Sequence, residues 1–365
     1  MVLKVLHIES GKNLYGGAQQ VLFLLRNLPK LGAESVLMCD PRSAIRSACD
    51  LEGIPTYPVS MAGDLDLSLP LKIRKVCKEV RPDIVHIHSR RGVDFWGGWI
   101  ARRLGIPCVL SRRVDNPESR WIVKWKYGMY DRVITISDGI RQVLLSEGLE
   151  DEKITLVRSA VDFSSFPTPI SKTSFLERFR LVESNIVVGC AAQLIERKGH
   201  RFLIDALPEV VSRFPQLKVL LFGKGSMEKT LKEQVTKMGL EKVVSFPGFV
   251  EDIKAIYPHL DILVHPALME GLGVALIEAA YCRLPIVAGR AGGIPEIVHH
   301  HENGFLVEPG ESEPIKDALI KLLNDNNLRK TMGKKAYEIA SNNFSVMPMA
   351  EGNFNVYCSL LSRNT

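Results

Sequence analysis

The 365-residue sequence is short of several things, and each shortage removes a class of protein. Its seven cysteines (39, 49, 77, 108, 190, 282 and 358) are scattered, odd in number and never spaced C-x-x-C. That pattern suits reduced thiols in a cytosolic protein, not a disulfide framework or a zinc ribbon. No apolar run approaches the roughly 20 residues of a membrane-spanning helix. The opening Met-Val-Leu-Lys-Val-Leu-His-Ile is too short in its apolar part for a signal peptide and reads as a buried strand. Glycine, at 28 residues, is far from collagen-like, and 46% apolar against 24% charged residues excludes a disordered chain. A phosphate loop of the form G-x-x-x-x-G-K-[ST] is absent. Gly223-Lys224-Gly225 begins a G-x-G, but Glu228 stands where a dinucleotide fingerprint needs its third glycine.

What is present is a repeated alternation. Short β-branched runs (Lys4–Ile8, Ser35–Cys39, Ile84–Ile87, Cys108–Ser111, Val133–Ile136) alternate with amphipathic segments such as Ala18–Leu31 and Gly139–Ser146. A second series follows Pro167 and Pro169, with strands at Ile186–Ala191, Lys218–Phe222, Val243–Phe246, Ile262–Val264 and Pro285–Ala288. Continuous apolar strands between helices mean parallel sheets covered on both faces, and the length allows two domains. The fold class is therefore α/β with two Rossmann-like, doubly wound domains, placed at 1–165 and 166–346. Residues 347–365 form a C-terminal helix expected to pack back on the first domain. The net charge of +6 is uneven: residues 71–132 hold fifteen Lys or Arg against six Asp or Glu. Such a field suggests an anionic partner.

One constellation stands out chemically. After a strand ending at His265, the chain reads Pro266-Ala267-Leu268-Met269-Glu270-Gly271-Leu272-Gly273-Val274, and a helix then carries Glu278. A helix start presents unpaired N–H groups and a positive dipole end, which suits a diphosphate. A carboxylate one to two turns in can accept both hydroxyls of a ribose. Glu196-Arg197-Lys198-Gly199 follows the first strand of the second series, Gly16-Gly17 follows the first strand of the chain, and His86-Ile87-His88 closes another.

These motifs, with Ala291-Gly292-Gly293-Ile294-Pro295-Glu296 and Glu302-Asn303-Gly304, make the chain resemble the retaining glycosyltransferases of family 4 over nearly its whole length. The resemblance implies the GT-B arrangement, two domains facing each other across a cleft, with acceptor binding in the first and nucleotide-sugar binding in the second. It implies donor contacts from Gly16, Gly17, Gln193, Lys198, Gly225, Val250, Gly271, Leu272, Gly273, Val274 and Glu278. His88, Lys198 and Glu270 would act on the sugar and leaving group. The implied reaction needs no metal or other cofactor; the donor is a nucleoside-diphosphate sugar, taken as UDP-linked. The acceptor is taken as an anionic glycan or lipid of the cell envelope, such as a lipopolysaccharide core, facing Arg90, Arg91, Arg112 and Arg113. The alternatives are a nucleotide-sugar epimerase of the same shape and a non-catalytic binder.

Three departures from the family pattern are Ala192-Gln193-Leu194 for Gly-Arg-Leu, Arg283 for Gly, and Ser159-Ala160 for Asn-Gly. Gln193 removes one of two cations expected at the diphosphate. His299-His300-His301 and Asp64-Leu65-Asp66 invite metal readings, but neither sits at a strand end. Nucleic acid is not expected as a partner, because no binding module is recognisable. Arg120-Trp121-Ile122-Val123-Lys124-Trp125-Lys126-Tyr127 interleaves basic and aromatic residues at helical spacing. It suits either peripheral contact with the inner face of the plasma membrane or a helix whose tryptophans are ordinary core.

Overall fold

The computed structural model describes residues 2–14, 16–63, 66–90 and 92–362. The chain forms two compact units, one of residues 1–160 with 346–365 and one of residues 161–345. The boundary thus falls after Ala160, five residues before the expected boundary at 165.

The first unit is built on β1 (Leu3–Glu9), β2 (Ala33–Cys39), β3 (Thr56–Pro58), β4 (Ile84–Ile87), β5 (Cys108–Arg112), β6 (Arg132–Thr135) and β7 (Ile154–Leu156). All pair in parallel, in the order β3-β2-β1-β4-β5-β6-β7. The second unit has β8 (Ile186–Ala191), β9 (Leu217–Phe222), β10 (Val244–Gly248), β11 (Ile262–His265), β12 (Ile286–Gly289) and β13 (Gly304–Val307). Its parallel order is β10-β9-β8-β11-β12-β13. Central strands are apolar along their whole length because helices cover both faces: Leu6, Ile8, Val85 and Ile87 are all fully buried.

β3, β7 and β13 escape the sequence reading, and all three lie at sheet edges. Edge strands are covered less and need less apolar patterning. The helix expected over 18–31 also ends early. Gly17–Asn27 is α-helical, and Leu28–Leu31 tightens into a 3₁₀ turn where Pro29 offers no N–H and Gly32 takes φ 86°. The C-terminal helix, Val346–Leu361, belongs to the first unit, where Met349, Val356 and Tyr357 pack with Val5, Phe23 and Ile84. Among the described residues no helix is long and apolar enough to cross a membrane.

Strand order reverses between β1 and β4, and again between β8 and β11. Open α/β sheets leave a crevice beyond the carboxyl ends of strands at such points. His88 follows β4, Lys198 follows β8 and Glu270 follows β11.

Candidate active site

In the second unit Lys198 ends a 3₁₀ turn after β8, and Gly199 takes φ 68° immediately beyond it. A Cβ on Gly199 would lie 1.9 Å from the Pro266 carbonyl oxygen, so glycine is what lets this turn lie against the loop after β11. The contact brings Lys198 to Glu270, 72 residues away in sequence. Lys198 Nζ donates to Glu270 Oε2, and His265 Nε2 lies 2.9 Å from the same oxygen. Burial works to raise the Glu270 pKa, but His265 and Lys198 outweigh it and hold the carboxyl at about 2. Glu270 is therefore ionised at neutral pH, and His265 must donate its Nε2–H to it.

The helix Val274–Tyr281 starts four residues after Glu270, with Gly273 at φ 102° as its cap. The N–H groups of Gly271, Leu272, Gly273 and Val274 find no acceptor among the described residues. Four free donors at a helix start form an anion cradle. Glu278 on the same helix is half-buried, and this burial raises its pKa against the opposing pull of Lys254, whose Nζ is 3.3 Å away. Val250 is buried, whereas Gln193 and Gly225 are exposed at the ends of the neighbouring loops. Arg197 is exposed, and its backbone carbonyl accepts from Leu268 N–H at 2.8 Å.

In the first unit the ladder between β1 and β4 sets His7 opposite His86. His88, one residue past β4, donates its backbone N–H to the Ile8 carbonyl, which keeps it in line. The three imidazoles form a buried cluster. His7 Nδ1 and His88 Nε2 are 2.9 Å apart; His86 is held by Tyr357 at 2.6 Å and Ser111 at 2.9 Å. Burial lowers the His7 pKa to about 3 and pushes those of His86 and His88 well below the usual value. All three are neutral at pH 7. Among the described residues this is the group close enough to hold a metal ion, with ligand atoms within 4.8 Å of one another. Both His86 nitrogens are already engaged, whereas His7 Nε2 is buried without a hydrogen-bond partner among the described residues. His88 is 4% exposed, and its Nδ1 has no partner among the described residues.

His88 lines a pocket of about 320 Å³ with Glu9, Gly17, Ser89, Arg112, Arg113 and others. Gly17 opens the helix Gly17–Asn27, and a Cβ there would press on Arg113 Cδ at 3.3 Å. Gly16 precedes it at φ 49°. The anion patch is altered by one residue, Glu118. This half-buried carboxylate takes Arg90 at 2.9 Å, Arg112 at 3.3 Å and Lys126 at 2.7 Å, and accepts from the Tyr127 hydroxyl. Arg90 and Arg112 are thus already paired, and Arg113 is the patch residue without an ion pair among the described residues. Burial brings its pKa down to about 10, with Glu9 pulling the other way. Arg91 and Asp64 lie outside the described residues. Asp66 accepts from Ser68 and Lys72, and His300 accepts from Leu306 N–H.

Sequence reasoning gave no role to His265, Lys254, His7 or Glu9. His265 was visible as the last residue of its strand; the other three needed strand order or a long-range contact.

The family model for glycosyl transferases group 1 matches residues 171–339, and that for glycosyltransferase family 4 matches residues 15–165. A lipopolysaccharide core biosynthesis glycosyltransferase of Rhizobium meliloti is 25% identical over 94% of this chain and 95% of its own. A GDP-mannose-dependent phosphatidylinositol monomannoside mannosyltransferase of Corynebacterium glutamicum is 33% identical, over 48% of each chain, so that match spans about half of either protein. The crystal structure of Anabaena HepE in complex with UDP superimposes with a TM-score of 0.84 at 23% identity, covering 98% of this chain and 100% of that one. The two Rossmann-like units are those of the GT-B fold, and the chain belongs to family 4 of the glycosyltransferases.

Proposed function

We propose that the protein transfers a hexose or N-acetylhexosamine from a UDP-sugar to a glycan or glycolipid of the cell envelope, with retention and without a metal ion. The observation that carries this reading is the meeting of Lys198 and Glu270 beside four free N–H groups at a helix start, with Glu278 further along the same helix. Lys198 and the N–H groups would take the diphosphate; Glu278 would accept from the ribose hydroxyls. Gln193, Gly225 and Val250 would border the nucleotide, with Gly16 and Gly17 leaving room at the phosphates. Glu270 and the Nδ1 of His88 would face the transferred sugar, and Arg113 the anionic part of the acceptor.

In the reaction the anomeric carbon–oxygen bond to the diphosphate breaks, and the acceptor hydroxyl forms the new bond on the same face. The departing phosphate oxygen takes the hydroxyl proton, so no protein base is required. Lys198 and the helix start stabilise the charge that develops on the leaving group. A donor bound through fixed N–H groups and an ammonium does not require a cation of its own. The names of relatives support the envelope acceptor, and a cytoplasmic location with peripheral membrane contact is part of the same proposal.

A thermal-shift panel of UDP-, GDP- and ADP-sugars, followed by transfer assays with and without EDTA, tests the reading. A rise in melting temperature with UDP-sugars and EDTA-resistant turnover are expected. Preference for another base overturns the donor; turnover lost to EDTA and restored by magnesium overturns the metal-free mechanism. Conversion of the nucleotide-sugar to its epimer without acceptor overturns transfer itself.

A further inference from the structure

All four tryptophans of the chain, Trp96, Trp99, Trp121 and Trp125, lie on two neighbouring helices of the first unit, Val93–Leu104 and Arg120–Tyr127. Their rings form one row through Phe95. Trp121 stacks on Trp125 at 5.8 Å between centroids, and Trp125 on Phe95 at 4.5 Å. Phe95 meets Trp96 edge-on at 4.8 Å, and Trp96 meets Trp99 at 5.9 Å. One end of the row is open to solvent: Trp121 is 73% exposed, Trp125 52% and Ile122 38%. The core reading of these tryptophans is therefore wrong for Trp121 and Trp125, which face outward. A continuous exposed aromatic patch on a water-soluble surface marks a contact site.

The exposed charges carried by these two helices have one sign, while Arg102 also borders a groove with the exposed Asp131, Glu150 and Glu152. The exposed charged residues of the two helices are Arg102, Arg103, Arg120 and Lys124, and Arg103 lies 4.8 Å over the Trp99 ring. The one carboxylate in these helices, Asp94, is buried against Lys126. Among the described residues none of the four exposed cations is held in an ion pair. Tryptophan combines a large apolar body with a polar N–H and settles at the level of lipid head groups, while the cations favour anionic lipid. A second copy of the chain is a poor occupant, because a two-fold contact would set the same four cations against each other.

We infer that this face, with Trp121, Ile122 and Trp125 at its centre and Arg102, Arg103, Arg120 and Lys124 around them, docks on an anionic lipid bilayer. The inference deepens the proposed membrane contact and does not depend on the donor chemistry, so vesicle binding and UDP binding can fail separately.

Because every tryptophan belongs to the row, intrinsic tryptophan emission reports on it directly. Vesicles of equal parts phosphatidylcholine and phosphatidylglycerol should shift the emission to the blue and carry the protein up a flotation gradient at low salt. Pure phosphatidylcholine or high salt should abolish most of both effects. Lys124→Gln should lower partitioning about fivefold, the equivalent of one basic residue at the surface. A Trp121→Ala, Trp125→Ala double variant should float at least about tenfold less well while keeping its melting temperature and UDP affinity. Three results would overturn the inference: no blue shift or flotation with the mixed vesicles, undiminished flotation of the double variant, or a concentration-dependent shift without lipid accompanied by dimerisation.

Discussion

Lys254 Nζ lies 3.3 Å from Glu278 Oε1, and both side chains are largely withdrawn from water. Burial drives the Glu278 pKa up, and the charge and hydrogen bond of Lys254 bring it part of the way back. The other titratable groups that feel this carboxyl are the buried Tyr257 and the half-buried Cys282, both of which it pushes upward. Lys254 thus opposes the effect of burial and favours the charged form of Glu278, the form that would accept from ribose hydroxyls.

Lys254→Met should therefore weaken UDP binding, by about tenfold near neutral pH and more at lower pH, as the uncompensated carboxyl takes up a proton. Lys254→Arg should restore most of the loss. Calorimetric titration across pH checks this, and tighter binding in Lys254→Met would mean that the lysine competes with the ribose for Glu278.

Glu270→Gln separates binding from chemistry. The carboxylate is the counter-ion of Lys198 and the acceptor of His265, so its loss frees the ammonium for the diphosphate. UDP affinity should hold or rise, while kcat falls by roughly 10²–10³, the scale of losing one preorganised electrostatic group. A matched loss in affinity and kcat would place Glu270 on the nucleotide instead.

The histidine cluster makes an acid-sensitivity prediction. His7, His86 and His88 have folded-state pKa values below the ordinary 6.5, so the unfolded chain binds more protons as pH falls through that value. Stability should be full above about pH 7 and decline below it. Each histidine contributes a slope of up to about 1.4 kcal/mol per pH unit. Urea unfolding followed by tryptophan emission reads this unit alone, since all four tryptophans lie within it. His7→Asn should flatten the slope, and an unchanged midpoint between about pH 7 and pH 5 would contradict the account.

The strand–helix alternation was legible in sequence because both sheets are buried on two faces, which forces apolar runs such as Ile186–Ala191. The short edge strands Thr56–Pro58 and Ile154–Leu156 carry no such constraint and went unread. The family motifs marked Lys198 and Glu270 individually. What joins them is the close approach of Gly199 to Pro266, a contact between loops that no local pattern encodes. His7 could be matched with His86 only once β1 and β4 were known to be neighbours. Counting charges over 71–132 exposed the basic excess but concealed Glu118, which takes Arg90, Arg112 and Lys126 together. The spacing of Trp121 and Trp125 is the same for an inward or an outward helical face, so exposure had to come from the structure.

The central claim is that the second unit holds the nucleotide diphosphate through Lys198, the start of the helix Val274–Tyr281 and Glu278. Isothermal titration of UDP into the wild type, Lys198→Met, Glu278→Gln and His88→Ala tests it most directly. Charge-assisted hydrogen bonds of about 1.5–3 kcal/mol each correspond to losses of roughly ten- to hundredfold. Such losses are expected in the first two variants, with near wild-type binding in His88→Ala. UDP binding of equal strength in all four proteins would contradict the account.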